Sequence, residues 1–245
     1  HSSVPWDGKI RHSALRPGYI GRMLSLDKAK AVTDADRHKI KGTVHIWLRP
    51  EDAKERFRVI THPEDYNVKY GRDTVRDRGN ATRRSARNAI LNAEGAICVD
   101  IQQMFDLIVY DESVWWCQAF QAEGGTYLNT RLPMGGRHST SIATSLIKVL
   151  LAFDAPRVRV DHATDNVRFS GKKADVVAAA FRFAQRCKEA TAHLNEIDID
   201  SFTESDIEHL WRTTESDFLG EVADYTTKTI KCRTKHIEKL ELFYH

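Results

Sequence analysis

The sequence predicts an α+β protein whose C-terminal part is a ferredoxin-like sheet, built in the order β-α-β-β-α-β with helices on one face. Three observations predict it. Short apolar runs at 96–101, 157–163, 166–171 and 217–222 have the length and residue types of strands. Residues 138–152 and 173–190 carry apolar positions at helical spacing: Ile142, Leu146, Val149 and Leu150 in the first, and Val176, Val177, Ala180, Phe181, Ala184 and Cys187 in the second. The two middle runs are separated only by a tight turn, which makes them a hairpin.

The other elements follow in order. Residues 1–42 are polar and punctuated by Gly and Pro, with a short helix expected over 25–40. The runs 43–49 and 56–62 read as a hairpin joined through 50–54. A helix is expected over 83–94, ended by Gly95. After the strand at 96–101, a helix starting near Asp111 holds Val114 and Trp115. Strands at 117–121 and 126–131 then flank the turn Glu123-Gly124-Gly125. The pattern divides the chain into 1–95 and 96–245, the second part carrying an inserted 111–131 segment.

With 245 residues the chain is long enough for one large domain or two small ones, and no apolar run approaches the roughly 20 residues of a membrane span. His1-Ser2-Ser3-Val4 lacks the apolar centre of a signal peptide and reads as a tag remnant. Net charge is only +3, yet Lys69, Arg72, Arg76, Arg78, Arg83, Arg84 and Arg87 cluster against Asp73 and Asp77 alone. Such a patch suits phosphate, because each neutralised phosphate releases condensed counterions; a solvated charged loop is the competing reading. Cys98, Cys117, Cys187 and Cys232 are widely spaced, with no metal-binding pattern, so buried free thiols in an intracellular, reducing compartment are expected.

The predicted topology has a chemical consequence. A helical crossover makes the first and second strands of this sheet parallel, and the hairpin returns the third between them. The end of the first strand and the hairpin turn then share one sheet edge, bringing Asp100 to Asp165 and Asn166. Converging carboxylates repel unless a cation compensates them, and Mg²⁺ favours one or two carboxylates plus substrate phosphates. Taken singly, an Asp-Asn turn is ordinary hairpin chemistry and an Asp after a strand caps a helix.

Local strings bear on the choice. Val99-Asp100-Ile101-Gln102-Gln103-Met104-Phe105-Asp106 places an aromatic five residues after an Asp. In Tyr127-Leu128-Asn129-Thr130-Arg131-Leu132-Pro133-Met134-Gly135 a strand reaches Leu-Pro-x-Gly before a helix. Val160-Asp161-His162-Ala163-Thr164-Asp165-Asn166-Val167 follows, then Phe218-Leu219-Gly220 ahead of the basic stretch 228–235. In this order the strings resemble motifs A, B, the Tyr-x-Asp-Asp motif and motif D or E of reverse transcriptases, over about residues 56–240. The string Asp165-Asn166-Val167-Arg168-Phe169 is similar to retroelements of the DIRS and VIPER type, which integrate with a tyrosine recombinase. Ala163 and Asn166 depart from the family, which has Tyr and a second Asp there.

The resemblance implies polymerase fingers over 1–95 and a palm over 96–245, ending in primer-grip-like strands and a short helix. It implies an RNA-directed DNA polymerase that adds deoxynucleotides to a primer with two Mg²⁺ ions, Mn²⁺ being a substitute. Asp100 and Asp165 are then the metal ligands and Asn166 their catalytic neighbour. Arg56, Arg58, Phe105 and Gly135 meet the nucleotide, with Phe105 the steric gate against a 2′-hydroxyl. Arg76, Arg83, Arg84, Pro133, Met134, Leu219 and Gly220 line the RNA or DNA template-primer. Expected partners are that duplex and deoxynucleoside triphosphates, with RNase H, recombinase or protein partners outside this chain and no membrane. Ala163 and Asn166 keep open a second reading, a non-catalytic, domesticated palm that binds nucleic acid or protein. A ferredoxin-like RNA-binding module lacks support, because the central strands carry no paired aromatics for base stacking.

Overall fold

The computed structural model describes residues 8–10, 13, 15–51, 56–70 and 79–233. In chain order the elements are α1 (Tyr19–Ser25), β1 (Ala29–Ala31), a 3₁₀ turn (Asp34–Lys39), β2 (His45–Glu51), β3 (Arg56–His62), α2 (Glu64–Tyr70) and α3 (Arg83–Asn92). There follow β4 (Gly95–Asp100), α4 (Met104–Leu107), α5 (Glu112–Trp115), β5 (Ala119–Ala122), β6 (Gly125–Asn129) and α6 (Ser139–Leu150). The chain closes with β7 (Arg159–Ala163), β8 (Asn166–Gly171), α7 (Lys173–Glu189), α8 (Glu204–Glu208), β9 (Ser216–Phe218), β10 (Glu221–Asp224) and β11 (Thr229–Cys232). All sheets are antiparallel, and the class is mixed α+β.

Packing divides the chain into two compact units, residues 1–76 with 103–143 and residues 77–102 with 144–245. The first unit holds the sheet β1-β6-β5 and the β2-β3 hairpin. Its core gathers Ile20, Met23, Val44, Ile46 and Phe120, with Tyr127 packed against them. Of the helix expected over 25–40 only a 3₁₀ segment, Asp34–Lys39, forms. Asp27 adopts a left-handed φ of 51°, which ends α1, and β1 instead pairs with β6 through Ala29↔Asn129 and Ala31↔Tyr127. A non-glycine residue at positive φ cannot continue a right-handed helix. β3 spans 56–62 as the pattern predicts, but Pro50 extends β2 rather than opening the turn, and residues 52–55 of the connector lie outside the described residues. The β5-β6 turn is Glu123-Gly124, and Gly125 already belongs to β6.

The second unit carries the three-stranded sheet β4-β8-β7, in which the third strand returns between the other two. α7 packs on β4 and β8 through Val176, Val177, Ala180, Phe183, Ala184 and Cys187. Phe183, fully buried and 5.6 Å from the Phe169 ring, takes the core place that periodicity gave to Phe181, whose ring instead lies tilted against that of Phe202. The expected last strand at 217–222 is broken. Leu219 (φ 54°) and Gly220 (φ 76°) form a two-residue turn, so 216–224 folds back as the β9-β10 hairpin and continues into β11. The place beside β4 is filled by irregular segments, Arg212 bridging Ala96 and Leu194 bridging Ile101. The expected C-terminal helix lies outside the described residues. All four cysteines are free; Cys117 and Cys187 are buried, while Cys232 is exposed because β11 edges its sheet.

α3 is anchored to the β9-β10-β11 sheet by Arg87, whose Nε donates to Glu221 Oε2 at 3.1 Å and whose Nη2 pairs with the other carboxylate oxygen. The Arg87 guanidinium holds the Glu221 carboxyl below its usual range. A depressed folded value means stability that is present above the free glutamate value of about 4.3 and is lost as pH falls through the folded value. Arg87→Gln is therefore expected to lower the urea midpoint at pH 7, with the gap to the parent closing as pH drops below about 4. A gap independent of pH would show that the pair contributes packing rather than charge.

Candidate active site

The second unit brings the acidic positions together through its backbone. In the β4-β8 register Asp100 stands opposite Asn166, and the Asp165 carbonyl accepts the Ile101 N–H at 2.9 Å. Asp100 and Asp165 are both half-buried, and Asn166 is exposed. Asn166 belongs to β8; the β7-β8 turn consists of Thr164 and Asp165. The Asn166 Nδ2 donates to Asp165 Oδ1 at 3.2 Å. Among the described residues no group of three or more His, Cys, Asp or Glu side chains could hold a metal ion. Among the described residues the oxygen donors at this edge include the two aspartates, the Asn166 amide and the Glu196 carboxylate.

Thr164 has a left-handed φ of 56°. For a β-branched residue this is an outlier, and such strain gathers at functional turns held from outside. Asn80 supplies the hold: its Oδ1 accepts the Thr164 N–H at 3.2 Å and the Thr144 hydroxyl at 3.3 Å. The Ala81 N–H adds a bond to the His162 carbonyl at 2.7 Å. Left-handed backbone costs an L-residue about 1–2 kcal/mol, and glycine forfeits about 0.5–1 kcal/mol through the unfolded chain. Thr164→Gly is thus expected to stabilise the protein by up to about 1 kcal/mol in urea unfolding; a lowered midpoint would contradict the strain.

Two residues that sequence reasoning missed surround Asp100. Asn195 Nδ2 donates to Asp100 Oδ2 at 2.8 Å, and Asn195 N–H to the Asp100 carbonyl at 2.9 Å. Glu196 Oε2 accepts the Asp100 N–H at 3.0 Å. Partial burial raises the Glu196 carboxyl against the opposing pull of the Asp100 N–H, although the residue as a whole is solvent-exposed. Asn195 and Glu196 sit in an irregular loop after α7, where no period or motif marks them.

Beneath the edge lies a buried charge network. Arg168 on β8 donates to Asp161 Oδ2 at 2.7 Å and to the Ala86 carbonyl at 2.7 Å, and its guanidinium lies 4.7 Å from the Phe218 ring centre. Arg159 also donates to both Asp161 oxygens at 3.2 Å. Arg168 and Asp161 are 3% and 6% exposed, so their charges are compensated within the protein rather than by water, while Arg168 Nε makes no hydrogen bond among the described residues.

The remaining candidates divide between the units. In the first, Arg58 is exposed on β3 opposite Arg49, and Arg56 pairs with Glu51 in the strand register. Phe105 is half-buried on the short helix α4. Gly135 makes a close approach to this chain itself: its N–H donates to the Thr61 carbonyl at 2.7 Å, and an added Cβ would meet that oxygen at 2.6 Å. Pro133 is buried, its carbonyl accepting Ser139 Oγ at 2.6 Å, and Met134 is exposed. In the second unit Arg83 and Arg84 are exposed in the first turn of α3, and Leu219 and Gly220 form the β9-β10 turn. Arg76 lies outside the described residues.

Solved structures share this architecture. A foamy viral protease-reverse transcriptase in complex with double-stranded DNA aligns with a TM-score of 0.68 and 18% identity, over 97% of this chain and 39% of its own. A second such complex gives 0.61 and 19%, over 91% and 42%. The native prototype foamy virus protease-reverse transcriptase gives 0.57 and 18%, over 78% and 25%. The chain has a reverse-transcriptase-like fold and spans about two-fifths of the first of these proteins. No family model and no curated protein matches the sequence.

Proposed function

We propose that the chain is the fingers and palm of an RNA-directed DNA polymerase. The supporting observation is the meeting of Asp100 and Asp165, remote in sequence, at one sheet edge through the Ile101–Asp165 backbone bond. Two half-buried carboxylates with neighbouring amides are hard oxygen donors, the set that suits Mg²⁺ completed by substrate phosphates. Asp100 and Asp165 would hold the ions, with Asn166 beside them. Bound there, Mg²⁺ would activate a primer 3′-hydroxyl and stabilise leaving pyrophosphate. The chain's own residues position and screen: Arg56 and Arg58 contact the triphosphate, and Phe105 rejects a 2′-hydroxyl. Arg76, Arg83 and Arg84 meet duplex phosphates, and Pro133, Met134, Gly135, Leu219 and Gly220 line the template-primer and nucleotide. The Asp165–Phe169 string further suggests a tyrosine-recombinase retroelement of the DIRS or VIPER type as its origin.

Primer extension on an RNA template with Mg²⁺ or Mn²⁺ tests this. Metal-dependent extension is expected, and extension that survives replacement of Asp100 or Asp165 overturns the assignment. A second reading, a palm that binds without polymerising, draws on Asn166: its amide occupies an Asp165 oxygen where the family resemblance implies another carboxylate. Duplex binding with no extension and no Asp100-dependent metal uptake is the result that reading requires.

A further inference from the structure

The loop after α7 is bound to the end of β4 more closely than packing requires. In an antiparallel sheet alternate residues of a strand turn their N–H and C=O groups to opposite sides. Ile97, Val99 and Ile101 face β8 and its turn, as the Ile101–Asp165 bond shows. Ala96, Asp100 and Gln102 face the other way, where no strand among the described residues pairs with β4. Arg212 serves Ala96, with reciprocal bonds of 2.9 Å. His193–Glu196 serves the other two: Gln102 N–H donates to the His193 carbonyl at 2.9 Å and Gln102 Nε2 to the Leu194 carbonyl at 3.1 Å. The Asp100 carbonyl receives Asn195 N–H, and the Asp100 N–H reaches Glu196 Oε2.

Backbone pairing alone would complete the edge. The Asn195 side chain does something else, since its Nδ2 donates to the Asp100 carboxylate itself at 2.8 Å. Both ends of the Asn195 residue are thus fixed to the two ends of Asp100, main chain to main chain and amide to carboxylate. A donor held this way restricts rotation of the carboxylate without neutralising it, as an Arg or Lys in the same place would. Ordering a charged ligand before a cation arrives removes entropy that binding would otherwise have to supply.

We infer that Asn195 is a positioning residue, acting through Asp100 to pre-organise the divalent-cation site. The inference rests on the polymerase reading for the role of Asp100. It concerns metal affinity rather than substrate recognition, so loss of the amide acts on the Mg²⁺ requirement while the nucleotide requirement at saturating Mg²⁺ stays unchanged. The main-chain bond from residue 195 survives replacement by Leu, Gln or Ala, which keeps the loop in place.

The test compares the whole chain with Asn195→Leu, Asn195→Gln and Asp100→Asn by calorimetric Mn²⁺ titration and by the Mg²⁺ dependence of primer extension. Asn195→Leu, close to isosteric, is expected to weaken Mn²⁺ binding and raise the half-saturating Mg²⁺ about tenfold, roughly the loss of one hydrogen bond to a charged group. Asn195→Gln, which keeps an amide donor, is expected to recover part of that loss. Thermal midpoints of both are expected to stay close to the parent's, and Asn195→Ala provides a smaller replacement should Leu prevent folding. Parent-like Mn²⁺ affinity in a folded Asn195→Leu or Asn195→Ala, alongside lost affinity in Asp100→Asn, overturns the positioning role and leaves the polymerase reading standing. Parent-like affinity in Asp100→Asn overturns both.

Discussion

Asp100→Asn is expected to abolish primer extension, with a rate loss of at least about 10²–10³-fold, while leaving the protein folded. The magnitude follows from removing an anionic ligand of the cation that would offset the negative charge developing during phosphoryl transfer. The folded state is expected to be unharmed because the main-chain bonds of Asp100 to Asn195 and Glu196 do not use its carboxylate and an isosteric amide leaves them in place. Urea unfolding with an unchanged or raised midpoint, paired with lost extension, separates a chemical role from a structural one. A variant extending within tenfold of the parent, or one that unfolds, would sink the assignment.

Asp161→Ala is expected to destabilise by about 3–5 kcal/mol, the cost of leaving a buried guanidinium without its carboxylate. Arg168 is 3% exposed and keeps the Ala86 carbonyl, the face of Phe218 and the nearby Glu221 charge once Asp161 is gone, which places the loss toward the lower end. The companion measurement is Asp161→Ala combined with Arg168→Met. Removing both charges and restoring an apolar stem should recover much of the loss, so that the double variant unfolds later than the single one. If the double loss equals the sum of the two single losses, the pair is not energetically coupled and the buried network is incidental. Asp161 lies four residues from Asp165 in the same string, so the contrast between the two is a contrast of depth: one is satisfied by arginine within the sheet, the other emerges at its rim.

The sequence made some of this readable for identifiable reasons. β3, β8 and the start of α7 fall where the pattern predicts, because each combines an unbroken apolar period with a clear stop. The juxtaposition of Asp100 with the β7-β8 turn followed from chain order alone, since a returning strand must lie between its partners. Left-handed positions were not readable. Asp27 ends α1 early, Thr164 turns left-handed within the expected β7-β8 turn, and Leu219 splits the expected last strand, yet none is a glycine or an asparagine. Each is imposed by contacts that local propensity does not contain, such as the Asn80 side chain under Thr164. Asn195 and Glu196 were hidden for a related reason: their partners are about 95 residues away and the loop holding them has no period.

The seat of Gly135 against Thr61 changes what the Leu132–Gly135 string can testify to. Any side chain at 135 would strike the carbonyl of its own β3, so the glycine is demanded by assembly of that unit before any template is considered. A descendant that had stopped copying nucleic acid would still be obliged to keep it. The positions free to drift in such a descendant are those whose only employment is at the rim, Asp165 and the Asn195 amide foremost, and a lineage's retirement from polymerisation would be written there first.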